Sequence, residues 1–131
     1  MASTTYLDSS AIVKLVVAES ESGALQTWLR ANPSQATCGL ARTEVIRAVR
    51  GVGPHALARA RSVLRRLQII ALDDGLLDRA GFMDPAELRS LDAIHLAVAL
   101  DLGDDLSEIV TYDRRMIEGA AALGLPTASP S

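Results

Sequence analysis

Four acidic residues, Asp8, Glu44, Asp92 and Asp113, occupy places where a carboxylate needs a reason to be. Asp92 lies in the first turn of a helix, Ser90 to Leu100, that is apolar almost all the way round and is therefore expected to be buried. An ionised carboxylate there requires a helix N-terminus, an arginine or a metal. Taken singly, each acid has an ordinary reading: Asp92 as a complement to the helix dipole, Asp8 as a strand-end turn residue, Glu44 as a surface helix acid, Asp113 as an N-cap. Taken together they suggest chemistry. Two segments of strand composition end alike, Tyr6-Leu7-Asp8 and Thr111-Tyr112-Asp113. In an open parallel sheet, ligands bind outside the carboxyl ends of the strands, where strand order reverses. If these two strands are neighbours there, Asp8 and Asp113 face one crevice, and Asp92 and Glu44 complete a ring. Unneutralised carboxylates so placed repel one another. A hard divalent cation, Mg²⁺ or Mn²⁺, resolves the conflict, because it takes oxygen ligands and keeps several waters. Such an ion activates water and stabilises charge on a phosphoryl group.

The elements that must position these acids follow from periodicity and turn chemistry. Strands are expected over Thr4 to Leu7, Gln35 to Cys38, Gln68 to Leu72 and Glu108 to Tyr112, with an edge strand over Pro126 to Ala128. Between them run helical patterns. The first is capped by Ser9 and Ser10, and the second is opened by Ser20 and Ser22 and ends at Asn32-Pro33. The third begins at Leu40, with Ala41, Val45, Ala48, Val49 and Val52 as its apolar stripe and Glu44 at the edge. A fourth follows the turn Gly51-Val52-Gly53-Pro54, with Arg59 and Arg66 outward. Asp73-Asp74 caps a fifth, Ser90 caps the organising helix and Gly103 stops it. A last helix runs from Arg114 to Leu123. Strands alternating with helices predict an α/β fold: three layers, α/β/α, around a short, mostly parallel central sheet. Residues 1–131 read as one domain, with 129–131 as a frayed tail.

A chain of 131 residues buries about two-thirds of its unfolded surface and needs no disulfide or structural metal to fold. Hydrophobic residues make up 49% but aromatics only 3%, so the core is aliphatic. Cys38 is alone and reads as a small core residue, which excludes a disulfide framework and a cysteine zinc site. The apolar run Ala11 to Ala18 is short and broken by Lys14, so neither a signal peptide nor a membrane span is expected, and a cytoplasmic setting is. The net charge of −3 argues against a simple nucleic-acid binder. Its distribution qualifies this. Arg42, Arg47, Arg50, Arg59, Arg61, Arg65 and Arg66 crowd one segment in which Glu44 is the only acid. They read either as a solvated face or as a basic rim beside an acidic site.

Asp8-Ser9-Ser10 after a strand, Thr43-Glu44-Val45 on a helix, Ser90-Leu91-Asp92-Ala93-Ile94-His95, and Thr111-Tyr112-Asp113 together resemble a PIN domain, in particular the VapC-type toxins of bacterial toxin–antitoxin pairs. The likeness spans nearly the whole chain. It implies that Asp8, Glu44, Asp92 and Asp113 bind Mg²⁺ or Mn²⁺ and carry catalysis. Ser10 would hydrogen-bond within the site, and Thr111 would support Asp113 or its metal-bound water. It further implies endonucleolytic cleavage of RNA, structured RNAs such as tRNA among the substrates. The expected partners are a small antitoxin of the VapB kind and a second copy of the chain. On this reading Arg42, Arg47, Arg59 and Arg66 guide the RNA backbone. His95, one turn after Asp92, reads as a packed helix histidine bonded to a carboxylate; His55, beside Pro54, reads as exposed.

Other classes are open to test. A signalling receiver domain also carries acids at strand ends, but it needs a lysine from a late strand, and the only lysine here is Lys14. A phosphatase of the Asp-x-Asp type lacks its second acid, which Ser10 replaces. A PIN-like nuclease that is not a toxin, or a silent interaction module of the same fold, is the remaining alternative.

Overall fold

The computed structural model describes residues 3–131. The chain begins with β1 (Thr4–Leu7), whose four residues are all buried, and passes directly through Asp8 into α1 (Ser9–Val16). Asp8 itself is the N-cap: its carboxylate accepts the Ala11 N–H at 3.1 Å. Ser9 and Ser10, expected as caps, are instead the first two helical residues, because the aspartate oxygen already serves the free amide. Ser22 opens α2 (Ser22–Ala31), but its hydroxyl donates to the Lys14 carbonyl at 2.6 Å rather than capping.

Next come β2 (Gln35–Cys38) and α3 (Leu40–Val49). The stripe of α3 is narrower than its sequence suggests: Ala41, Val45 and Val49 are buried, whereas Ala48 is exposed. Val52 has left the helix for the turn and is 62% exposed. That turn ends at Gly53, whose φ of 139° only glycine adopts freely, and Pro54 then starts α4 (Pro54–Arg66). After it, β3 (Gln68–Ile70) is a half-exposed edge strand and stops two residues short of Leu72. Asp73 caps α5 (Asp74–Gly81) by accepting the Leu76 N–H at 2.8 Å.

The organising helix is α6 (Ser90–Leu102). Ser90, expected as its cap, is its first residue; Arg89 holds the cap position with extended backbone and makes no capping side-chain bond. Gly103 ends the helix at φ 55°. A 3₁₀ turn over Gly103–Asp105 carries exposed Asp104 and Asp105 into β4 (Leu106–Val110). This strand ends two residues before the expected Tyr112, which leaves Thr111 free to bond across the strand ends. Asp113 caps α7 (Arg114–Ala122), and β5 (Thr127–Ala128) closes the sheet. The tail is tied down as far as Pro130: Ser129 Oγ donates to the Thr111 carbonyl at 2.6 Å and Tyr112 Oη to the Pro130 carbonyl at 2.7 Å.

Among the described residues the sheet has five strands in the order β3-β2-β1-β4-β5, every neighbour parallel. Successive strand residues point to opposite faces. Leu7 and Val110 therefore enter one core with Ile12, Leu25, Val45 and Leu64 from α1 to α4. Tyr6 and Ile109 enter the other, with Leu76, Leu96, Val98 and Met116 from α5 to α7. Helix α6 is buried along most of its length, as its uniform apolarity predicts. Truncating a fully buried residue such as Leu96 to alanine costs about 2–5 kcal/mol. Cys38 is fully buried, and among the described residues no helix is long and apolar enough to cross a membrane.

Candidate active site

Strand order reverses between β1 and β4, and these strands are paired with Leu7 opposite Val110. The Asp8 N–H donates to the Val110 carbonyl at 3.2 Å, so Asp8 and Thr111 emerge side by side at the carboxyl edge. The adjacency of these strands, on which the shared crevice depends, is present in the sheet.

Asp8 is 3% exposed and engaged through both oxygens. Oδ1 accepts from Ser10 Oγ at 2.6 Å and from the Ala11 N–H, and Oδ2 accepts from Thr111 Oγ1. Thr111 Oγ1 in turn accepts the Asp113 N–H at 3.1 Å, and Ser10 Oγ accepts the Tyr112 N–H at 3.0 Å. Two hydroxyls thus stitch the end of β1 to the loop after β4. Burial pushes the Asp8 carboxyl up, while bonds from Ser10, Thr111 and Ala11 and the charge of His95 pull it back.

Glu44, on the second turn of α3, is held by a different set. Its Oε1 accepts from Ser9 Oγ at 2.6 Å and lies 2.7 Å from His95 Nε2. His95 is 3% exposed, and its Nδ1 is 2.6 Å from Tyr6 Oη and 3.7 Å from Cys38 Sγ. Burial opposes charging of the imidazole, but contact with Cys38 and Glu44 reverses this and raises it to about 10. As an imidazolium, His95 donates from both nitrogens, to Glu44 and to Tyr6. For Glu44, burial favours the neutral acid, yet the bonds from His95 and Ser9 prevail and lower its pKa. His95 is the packed, carboxylate-bonded residue expected, and its partner is 51 positions away in the chain. His55 is exposed.

Asp92 differs from both. It is 9% exposed, and among the described residues its carboxylate makes no hydrogen bond or ion pair within reach. Burial raises its pKa, the charge of Asp113 raises it further, and Asp8 adds a smaller push; His95 and Arg89 oppose them. Asp8, Asp92 and Asp113 thus share one electrostatic neighbourhood, with Glu44 joined to it through Ser9 and His95. Among the described residues no group of three or more His, Cys, Asp or Glu side chains stands close enough to form a metal cage. The donor set nevertheless fits a hard divalent cation. It is all oxygen and mutually repulsive, it includes the Asp92 carboxylate, which faces the groove without a protein partner among the described residues, and such an ion needs only one or two carboxylates beside its waters.

A groove of about 440 Å³ opens from Asp92 between the start of α6 and the face of α7, lined also by Pro85, Leu88, Arg89, Arg115 and Gly119. Arg89 and Arg115 are exposed, and neither guanidinium has a carboxylate within 4.0 Å among the described residues. Sequence reasoning missed both. The available signal was spacing: Arg89 is one helical turn before Asp92 and Arg115 two residues after Asp113. The arginines expected as a basic rim divide. Arg42 and Arg47 are exposed on α3, the helix that carries Glu44. Arg59 and Arg66 do not flank the acids: with Arg30, Pro33 and Gln35 they border a separate groove at the amino ends of the strands. Arg59 Nε also donates to the Leu15 carbonyl at 2.8 Å. The reason is that α4 returns its last turns to the edge where β3 begins, opposite the edge that carries Asp8.

The PIN domain family model matches residues 5–122. The chain is 48% identical over 126 residues to "Ribonuclease VapC46" of Mycobacterium tuberculosis, covering 96% of this chain and 97% of that protein. It is 43% identical to "Ribonuclease VapC47" of the same organism, covering 95% and 96%. The crystal structure of M. tuberculosis VapC20, described as a sarcin–ricin loop cleaving toxin, superposes with a TM-score of 0.76 at 19% identity, over 96% of this chain and 99% of that one. A toxin–antitoxin complex from Klebsiella pneumoniae gives 0.73 at 22% identity, over 97% and 98%. An α/β/α sandwich with acids at its switch point defines the class, and this chain belongs to the PIN-domain family. Within that family it stands with the VapC ribonucleases.

Proposed function

We propose that this protein is a divalent-metal-dependent endoribonuclease, the toxin of a type II toxin–antitoxin pair, which hydrolyses RNA phosphodiester bonds. The observation that carries the reading is the joining of Asp8 and Asp113 through Thr111 Oγ1 at the β1/β4 edge, with Asp92 lining the adjoining groove and without a side-chain partner among the described residues. The likeness to VapC ribonucleases over almost the full length supports it. Asp8 and Asp92 would hold Mg²⁺ or Mn²⁺, with Glu44 and Asp113 completing the site directly or through water. When bound, such an ion makes water more acidic and offsets negative charge on phosphoryl oxygens.

The chain's own residues supply orientation. Ser10 and Thr111 fix both oxygens of Asp8, and Thr111 also fixes the Asp113 backbone. Ser9 and His95 fix Glu44 in its ionised form. His95 is buried and engaged at both nitrogens, by Tyr6 and by Glu44, so it is a positioning residue and not the base that receives a proton from water. The partners that go with this function are an RNA, structured RNAs such as tRNA among the candidates, a small VapB-like antitoxin, and a second copy of the chain, in the cytoplasm. The antitoxin is supported by the relative solved as a toxin–antitoxin complex.

The test is cleavage of RNA by the wild type and by Asp92→Asn, with Mg²⁺, with Mn²⁺ and with EDTA. The wild type should cut only with a cation, and the variant at least about 100-fold more slowly, the scale on which removal of one transition-state interaction acts. Equal cleavage by the two proteins, or cleavage undiminished by EDTA, would overturn the assignment.

A further inference from the structure

We propose that Arg89 and Arg115 grip the RNA phosphates next to the bond that is cut, in the groove between α6 and α7, and so determine the path of the strand into the site. The proposal rests on the ribonuclease reading above and adds the residues that seat the substrate. Four observations converge on this groove. First, it opens from Asp92 itself. Second, its two guanidiniums are exposed and unpaired among the described residues, unlike Arg79, which is tied to Asp101 at 3.2 Å, and Lys14, which is tied to Glu19 and Glu21. Third, they stand on opposite walls, Arg89 at the N-cap of α6 and Arg115 in the first turn of α7. Fourth, among the described residues no side chain caps α6, so the free N–H groups of its first turn stand beside Arg89.

The other lining residues shape the ligand. Glu87 and Glu118 also border the groove and, with Asp92, make its lining net acidic, so a phosphate is favoured there only where it meets an arginine or a bound cation. Pro85 and Leu88 give an apolar wall against which a ribose or base can pack. Gly119 forms the floor: a Cβ there would come within 2.9 Å of Leu88 Cδ1 and 3.0 Å of Leu96 Cδ1, so the approach of α7 to α6 depends on glycine. On this proposal the strand enters from the α6/α7 side, away from the groove that Arg59 and Arg66 border at the opposite edge of the sheet.

The experiment measures binding of a labelled single-stranded oligoribonucleotide to the full chain as a function of salt, in EDTA so that nothing is cut, alongside cleavage with Mn²⁺. Three proteins are compared: the wild type, the double variant Arg89→Gln/Arg115→Gln, and the double variant Arg59→Gln/Arg66→Gln. Neutralising one arginine that holds a phosphate flattens the slope of log K against log salt by about 0.7. The Arg89/Arg115 variant should show about twice that flattening, bind roughly tenfold or more weakly, and express the defect in KM with kcat nearly unchanged. The Arg59/Arg66 variant should keep the wild-type slope. All four arginines are exposed, so both variants should fold, as melting curves will show. A wild-type slope and KM in the Arg89/Arg115 variant would overturn the inference. The expected binding pattern in a protein that cleaves no RNA would uphold the groove while refuting the ribonuclease reading.

Discussion

The two walls of the crevice contrast in how their polar groups are satisfied. On the β1/β4 wall, both Asp8 oxygens and the hydroxyls of Ser10 and Thr111 are engaged, and Glu44 is clamped between Ser9 and His95. On the α6/α7 wall, Asp92, Arg89 and Arg115 have no side-chain partners among the described residues. A satisfied buried network rigidifies what it contains. A partly desolvated carboxylate beside like charges costs stability, and persists where function needs it free. The first wall is preorganised by the chain; the second is completed by what binds. Changes on the first wall should therefore act mainly through stability, and changes on the second mainly through ligand binding and activity.

The largest expected effect separates stability from activity. Asp92→Asn should nearly abolish cleavage while raising the melting temperature of the metal-free protein. The sign follows from the pKa: Asp92 is raised in the folded state, so its ionisation destabilises the fold as pH rises above the carboxylate range, and an amide removes that cost. Melting curves in EDTA check it, and a lower melting temperature for the variant would place Asp92 on the satisfied wall.

Next is the Glu44–His95 pair. Removing one partner of a buried pair costs about 3–5 kcal/mol, and Glu44→Gln should lose something near the lower end because Glu44 is partly exposed. The pH dependence is also set. His95 is raised from 6.5 to about 10 on folding, so its contribution is fully present below about pH 6.5 and is lost as pH climbs through about 10. Urea unfolding of the wild type should show stability falling across that window, and His95→Leu should not show this decline.

Thr111→Val should cost about 1–3 kcal/mol, since it leaves Asp8 Oδ2 and the Asp113 N–H without their partner in nearly unchanged volume. Thr111→Ser should recover most of that stability in the same unfolding assay. Smallest is Arg59→Gln, which removes one exposed bond to the Leu15 carbonyl and should cost no more than about 0.5–1.5 kcal/mol.

Much of this contrast could be read in the chain, and the rest could not, for identifiable reasons. The alternation of short apolar strands with helices fixed the class of fold, and the matching ends of the strands before Asp8 and Asp113 pointed to one edge. Helix ends were less legible. Ser90 and Ser9 have the right chemistry for caps, but Asp8 reaches the free amide first, and Arg89 takes the cap position of α6 without capping it. Val52 continued the α3 stripe in sequence only, because α3 ends at Val49 and Val52 falls in the turn between Gly51 and Gly53. The Arg59 and Arg66 placement failed because charge clustering along a chain says nothing about which edge of a sheet a returning helix reaches. The Glu44–His95–Tyr6 chain joins three separate elements, so spacing could suggest a carboxylate for His95 but not which one.

The central claim is that Asp8 and Asp92 share a divalent cation. Calorimetric titration of Mn²⁺ into the metal-free protein tests it without RNA. The account predicts a saturable site in the wild type that is abolished or weakened at least about tenfold in Asp92→Asn and in Asp8→Asn, with the folded state of each variant confirmed by its melting curve. Undiminished Mn²⁺ binding in both variants would contradict it.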